Sequence, residues 1–376
     1  MRFYKKHKSD TKKTDIVFLR AGQVSRMNKK FFYFAIFFLL PLGMLLTTSS
    51  CGKNHKLRQI ITEPQKTGIT TREFIDEMRQ RPVITEIWYP IDEQVPAKKA
   101  PGVWVRCDEA RDAPLSTATS KYPLIVFSHG NGGDRLTTAW LAEILAANSY
   151  IVAAVDHWGN TWNNKIPELF VRPWERPKDI SFVIEKLLQD PLLKDHIDQA
   201  KIGFVGYSLG GTTGVWIAGG KACLNENPRA EGTPQLELPK GVTQDVIDKV
   251  DFHEANLSYH DPRIRSMLVL APALARLFDE KSLKKINIPV SIIAPESDRV
   301  VPIEQNAKCF AKNITRSKLF IVNGKADHYV FLNQVTVIGR RLIDVSLYND
   351  DPSVDRHEVH ETVSKIAVEF FDSTLR

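Results

Sequence analysis

Gly206-Tyr207-Ser208-Leu209-Gly210 directly follows the apolar run Ile202-Gly203-Phe204-Val205 and runs into a helix-like stretch, Thr212–Ala218. A strand that reverses sharply into a helix lifts one hydroxyl clear of a sheet edge. Small residues two positions to either side let strand and helix approach each other. The spacing therefore predicts Ser208 as an activated nucleophile on a strained turn. The N–H groups and positive dipole end of the following helix would face a developing oxyanion.

A serine hydroxyl attacks only when a base takes its proton, and the base needs an acid to fix its tautomer and stabilise its charge. The expected chain order is serine, acid, histidine. Downstream of Ser208, the apolar run Pro289–Ala294 leads into Pro295-Glu296-Ser297-Asp298-Arg299-Val300-Val301-Pro302, and Leu319–Val322 leads into Asn323-Gly324-Lys325-Ala326-Asp327-His328. Both loops fall at strand carboxyl ends, on the edge that carries Ser208, so Asp298 as acid and His328 as base can converge on it. Glu296 is the rival acid, and the spacing to Val301-Pro302 favours Asp298. Asp327 is expected to face solvent or cap its loop. His157, His253 and His260 could each line a pocket, but none follows the last strand. His357 and His360 are three apart where H-E-x-x-H metal geometry needs four, so they are expected on a solvated helix face. No metal spacing and no C-x-x-C motif occurs, and the chemistry calls for no cofactor.

The oxyanion needs two donors. One is the amide of Leu209, the residue after the nucleophile. The other is expected from Ser128-His129-Gly130-Asn131-Gly132-Gly133, where the turn after an earlier strand points the Asn131 amide inward.

These residues require a sheet to hold them. Pro123–Phe127, Tyr150–Val155, Lys201–Val205, Arg265–Leu270, Pro289–Ala294 and Leu319–Val322 read as buried strands. Val83, Thr85, Ile87 and Tyr89 alternate with their neighbours before Pro90, the pattern of an edge strand. Helical periods occupy Leu136–Asn148, Asp179–Leu188, Glu304–Lys312 and His357–Thr374; the last places Val359, Val363, Ile366, Ala367, Phe370 and Phe371 on one face. Unbroken apolar strands alternating with helices predict an α/β protein with a mainly parallel sheet covered on both faces. Ala222–Asp261 interrupts the rhythm with Pro228, Pro234 and Pro239; it reads as an insertion after the nucleophile helix, either a lid or a surface loop.

The 376 residues carry a formal charge of +7, but the excess is confined to the start. Residues 1–30 hold ten Lys/Arg against two Asp/Glu and residues 31–50 hold no charge, so the remainder is close to −1. A nearly neutral body excludes a nucleic-acid footprint. Met27-Asn28-Lys29-Lys30, then the apolar Phe31–Leu46, then Thr47-Thr48-Ser49-Ser50 before Cys51 has the proportions of an export signal rather than a spanning helix. Residues 1–50 are thus expected to be a leader, with Met27 the expected true start, residues 51–70 a polar tether, and 71–376 the folded domain. If Cys51 is consumed, Cys107, Cys223 and Cys309 leave an odd number, and sequence cannot pair them.

The small residue ahead of Cys51 resembles the lipobox of bacterial lipoproteins, although Thr48 stands where leucine is usual. That implies acylation of Cys51 and an exported protein held on a membrane of the cell envelope. From Arg72 to Leu332 the chain resembles the α/β-hydrolase fold, and within it the platelet-activating-factor acetylhydrolase-like esterases and predicted dienelactone hydrolases. The likeness rests on Arg81-Pro82 with Trp88-Tyr89-Pro90, on Pro123-Leu124-Ile125-Val126-Phe127-Ser128-His129-Gly130, on Tyr150-Ile151-Val152-Ala153-Ala154-Val155-Asp156-His157, and on the turn around Ser208. Two departures narrow what it implies. The acetylhydrolases tend to carry their acid where this chain has Leu270-Ala271-Pro272-Ala273; Asp298, one strand later, is the arrangement of polyester- and cutinase-like hydrolases. True dienelactone hydrolases use cysteine where Ser208 stands. The resemblance implies a metal-free serine esterase acting on small-molecule or lipid esters. Thioester or amide hydrolysis on the same triad, and a non-catalytic binding lipoprotein, are the alternatives.

Overall fold

The computed structural model describes residues 16–19, 66–92, 95–224 and 241–376. The leader beyond residues 16–19, Met27 and Cys51 lie outside the described residues, as does most of the expected tether. Among the described residues, ten strands form one sheet. They are β1 (Ile16–Leu19), β2 (Thr67–Asp76), β3 (Arg81–Tyr89), β4 (Glu109–Arg111) and β5 (Tyr122–Ser128), followed by β6 (Ile151–Val155), β7 (Ile197–Tyr207), β8 (Ile264–Leu270), β9 (Val290–Pro295) and β10 (Ser317–Val322). Their order is β1-β10-β9-β8-β7-β5-β6-β3-β2-β4. The six strands from β6 across to β10 are mutually parallel.

The unbroken apolar strands are explained by burial on both faces. Leu124 and Val126 of β5 enter one core with Ile180, Val183 and Ile184 of the helix Glu175–Leu187. Ile125 and Phe127, one residue out of phase, enter the other core with the helices Ala139–Ala147 and Arg356–Leu375. Side chains alternate at a period of two, so a strand dry on both sides shows no polar alternation. The last helix is capped by Asp355, whose side chain accepts from the His357 and Glu358 amides. Among the described residues no helix is long and apolar enough to cross a membrane.

Four expectations change. β3 is an interior strand, antiparallel to β2 on one side and to β6 on the other. The β6 pairing covers only Thr85–Trp88, so Pro82 and Pro90, which cannot donate to a ladder, fall outside the doubly paired stretch. β2 begins at Thr67, inside the segment read as tether, because Gly68–Asp76 pairs with the whole of β3. His360 is not solvated: it is buried, its ring stacked on Trp140 at 3.8 Å, and its Nε2 lies 2.9 Å from the Val330 carbonyl. His357, by contrast, is exposed. Finally, the described parts of the insertion are anchored to the core by a few buried side chains. Ile247, Phe252 and Ala255 are buried, and the Trp216 indole donates to the Ala255 carbonyl. Residues 225–240 lie outside the described set. Cys107, Cys223 and Cys309 are free thiols.

Candidate active site

β7 ends at Tyr207 and the helix Leu209–Ile217 starts two residues later, leaving Ser208 alone at the reversal. Its backbone sits at φ 54°, ψ −117°, a region L-residues rarely adopt and which costs on the order of 1–3 kcal/mol. The surrounding structure holds it there: the Ser208 amide donates to Leu270 of β8 at 2.9 Å, and the Ala273 amide donates to the Ser208 carbonyl at 3.2 Å. The stretch Leu270–Ala273, bare of carboxylates, thus braces the turn. Close approach explains the flanking glycines. A Cβ on Gly206 would stand 2.2 Å from the Gly210 carbonyl oxygen, and one on Gly210 would stand 1.9 Å from that of Ser128.

The loops after β9 and β10 bring the other two residues in. The Ser208 hydroxyl is 3.0 Å from His328 Nε2, and His328 Nδ1 is 2.8 Å from Asp298 Oδ2. A carboxylate only accepts, so Nδ1 carries the proton and Nε2 presents a lone pair to the serine. Asp298 is itself oriented, its Oδ1 accepting from the Val300 and Val301 amides at 3.0 and 2.6 Å. Asp327 caps the turn that begins at His328, accepting the His328 amide at 2.8 Å, and also takes the Arg299 amide and guanidinium. It therefore ties the acid loop to the base loop. Glu296 accepts the Gly324 amide at 2.8 Å, a second tie between the same loops. From below, His360 meets Val330, and Arg356 donates to the carbonyls of Leu332 and Asn333.

Neither the Asn131 nor the Leu209 amide has an acceptor within the described protein. Around them, other groups of the loop Ser128–Gly133 are committed. Asn160 accepts the Gly132 amide at 2.9 Å and donates to the Asn131 side chain at 3.0 Å. Behind the loop lies a second serine–histidine–aspartate relay that the sequence reading did not anticipate. The Ser128 hydroxyl is 2.8 Å from His157 Nε2, and His157 Nδ1 is 2.8 Å from Asp179 Oδ2. Arg81 and Arg79 pair with Asp179 at 3.0 and 2.9 Å. Burial, helped by the nearby Arg176, holds the His157 imidazole well below its ordinary value and hence neutral. Ser128 lies within β5, paired to β6 and β7 on either side, so it lacks the strained strand-to-helix turn that Ser208 has. His157 was a visible candidate from its place after β6. Nothing in the spacing links it to Asp179 on a helix. His253 and His260 are exposed at the insertion and take no part. Among the described residues no cluster is suited to a metal ion.

The sheet order and this arrangement define the α/β-hydrolase fold. The sequence profile of platelet-activating factor acetylhydrolase, isoform II, matches residues 98–163. That stretch contains the loop Ser128–Gly133, His157 and Asn160, and stops short of Ser208. A ferulic acid esterase from Streptomyces cinnamoneus superposes with a TM-score of 0.59 at 20% identity, covering 83% of this chain and 94% of that one. No curated protein sequence matches the chain.

Proposed function

We propose that the protein is a carboxylic ester hydrolase that works through an acyl-enzyme on Ser208. His328 Nε2 takes the hydroxyl proton as Ser208 Oγ attacks the ester carbonyl. The tetrahedral oxyanion accepts from the Asn131 and Leu209 amides. As the intermediate collapses, the C–O bond to the alcohol breaks and His328 returns the proton to the leaving oxygen. A water molecule then gives its proton to His328, attacks the acyl carbonyl and releases the acid. Asp298 holds the imidazole in the required tautomer throughout and stabilises its positive charge.

The observation that carries this reading is the unbroken relay from Ser208 through His328 to Asp298, on a strained turn beside two uncommitted amides. The acetylhydrolase match and the ferulic acid esterase neighbour both point to ester rather than amide chemistry. The substrate would be a small-molecule or lipid ester. We extend the reading to a Cys51 acyl anchor on a membrane outside the cytoplasm, which rests on the sequence around Phe31–Cys51. Ser208→Ala should abolish hydrolysis of p-nitrophenyl acetate and labelling by a fluorophosphonate probe. Parent-level turnover in that variant would end the proposal, and a parent chain that the probe never labels would favour a binding protein.

A further inference from the structure

Arg176 is the one buried cation whose guanidinium grips the backbone of the oxyanion loop among the described hydrogen bonds. It is 2% exposed, the second residue of the helix Glu175–Leu187. Nη1 donates to the His129 carbonyl at 2.5 Å, and Nη2 donates to the Gly130 carbonyl at 3.1 Å and to Asn160 Oδ1 at 2.9 Å. His129 adds to the same grip. Its Nε2 accepts the His157 amide at 3.2 Å, so Nδ1 carries the proton and donates to the Gly130 carbonyl at 2.7 Å. The Gly133 amide donates to the same oxygen at 3.2 Å, so the Gly130 carbonyl is held by three donors, of which Arg176 supplies the charged one.

The Gly130 carbonyl and the Asn131 N–H belong to one peptide unit. In a trans peptide they point in opposite directions, and the described chain has no cis bonds. Fixing the carbonyl on Arg176 therefore fixes the direction of the amide, away from the guanidinium. The unit lies next to the nucleophile: a Cβ on Gly130 would be 3.3 Å from Ser208 Cβ. Turned over, the same unit would set a carbonyl oxygen, not an N–H, beside the developing negative charge. Glycine lowers the barrier to such a turn because it tolerates both backbone states.

We propose that Arg176 is a positioning residue for ester hydrolysis, holding the Gly130 carbonyl so that the Asn131 amide faces the oxyanion formed on Ser208. The relay Ser128–His157–Asp179 and Asn160 form the frame behind it. The proposal rests on Ser208 being the nucleophile.

The test compares the full chain with Arg176→Lys and Arg176→Gln. For each, kcat and KM with p-nitrophenyl acetate, the inhibition constant of a trifluoromethyl ketone and the melting temperature are measured. The ketone's adduct with Ser208 carries an oxyanion in the same place as the intermediate. Lysine keeps the charge but cannot bridge two consecutive carbonyls and Asn160. Both variants should lose kcat by roughly 10²-fold, in the range of one lost oxyanion donor, with KM little changed and ketone affinity falling in step. Retention of kcat overturns the proposal, and so does a loss of kcat that leaves ketone affinity intact. If neither variant folds, Asn160→Ala, which frees the Gly132 amide, should show the same coupled loss at roughly tenfold; unchanged ketone affinity there overturns the proposal equally. Failure of the functional reading is separate, because it would appear in the parent chain and in Ser208→Ala.

Discussion

At the residue scale, the acid of the relay is more tightly constrained than the serine. Both oxygens of Asp298 are assigned: Oδ1 accepts from two amides and Oδ2 accepts from His328. An asparagine at 298 would keep its carbonyl on the Val300 and Val301 amides, since only an acceptor fits there. Its NH2 group would then face His328 Nδ1 and force the proton onto Nε2. In that tautomer the imidazole cannot accept from Ser208. Asp298→Asn should therefore fold normally yet lose roughly 10³–10⁴ in kcat, the cost of a wrong tautomer, as measured by steady-state hydrolysis alongside an unchanged melting curve. The same logic shows why Ser128–His157–Asp179 is structural. Its histidine is held in the matching tautomer, but its serine lies inside a paired strand and not on a strained turn.

At the element scale, the helix Ala139–Ala147 carries an unusual load. Glu143 is buried in it, accepting the Cys107 amide at 3.1 Å, with its other oxygen unpaired. Burial pushes its carboxyl up from the usual range to about 7. A carboxyl raised in the folded state is most favourable to folding while it stays protonated. Its contribution is complete below the unfolded value near 4.5 and is lost as pH rises through about 7. Above that, the folded protein carries a penalty on the order of 3 kcal/mol. Glu143→Gln keeps the acceptor for Cys107 and removes the ionisation. It should raise the melting temperature at pH 8 and give a much smaller gain at pH 5. An equal gain at both values would mean the carboxyl is not the source. Helix ends followed the sequence signals only loosely: the helix expected from Leu136 begins at Ala139, since Leu136–Thr138 form turns tied to the loop by Asp134 and Asn333.

At the scale of the whole molecule, the catalytic candidates come from segments 120 residues apart that meet at one edge of the sheet. Processing at Cys51 would remove β1, which pairs antiparallel with the outer side of β10, while leaving every residue of the relay in place. If the chain is tethered through an acylated Cys51, Cys51→Ser should abolish incorporation of labelled palmitate and shift the protein from the membrane to the soluble fraction. Ester turnover by the released domain should persist. A parent chain that takes up no label would remove lipidation from the account, and a Cys51→Ser chain that stays on the membrane would place the anchor elsewhere.

The turn around Ser208, the loops that bring Asp298 and His328 to it and the parallel sheet were legible because each depends on local chemistry: small residues beside a tight reversal, apolar runs of strand length, loops at strand ends. Asp298 over Glu296 was legible from the same loop spacing. What spacing could not reveal is anything decided by which strands lie side by side. β3 is interior because β6 returns beside it, His360 is buried because its helix crosses under the base loop, and Arg176 reaches Gly130 because its helix packs behind β5. A polar side chain carries no mark of whether tertiary neighbours will desolvate and partner it. The sequence determined the chemistry available to this protein, and the order of its sheet decided which polar groups would hold that chemistry in place.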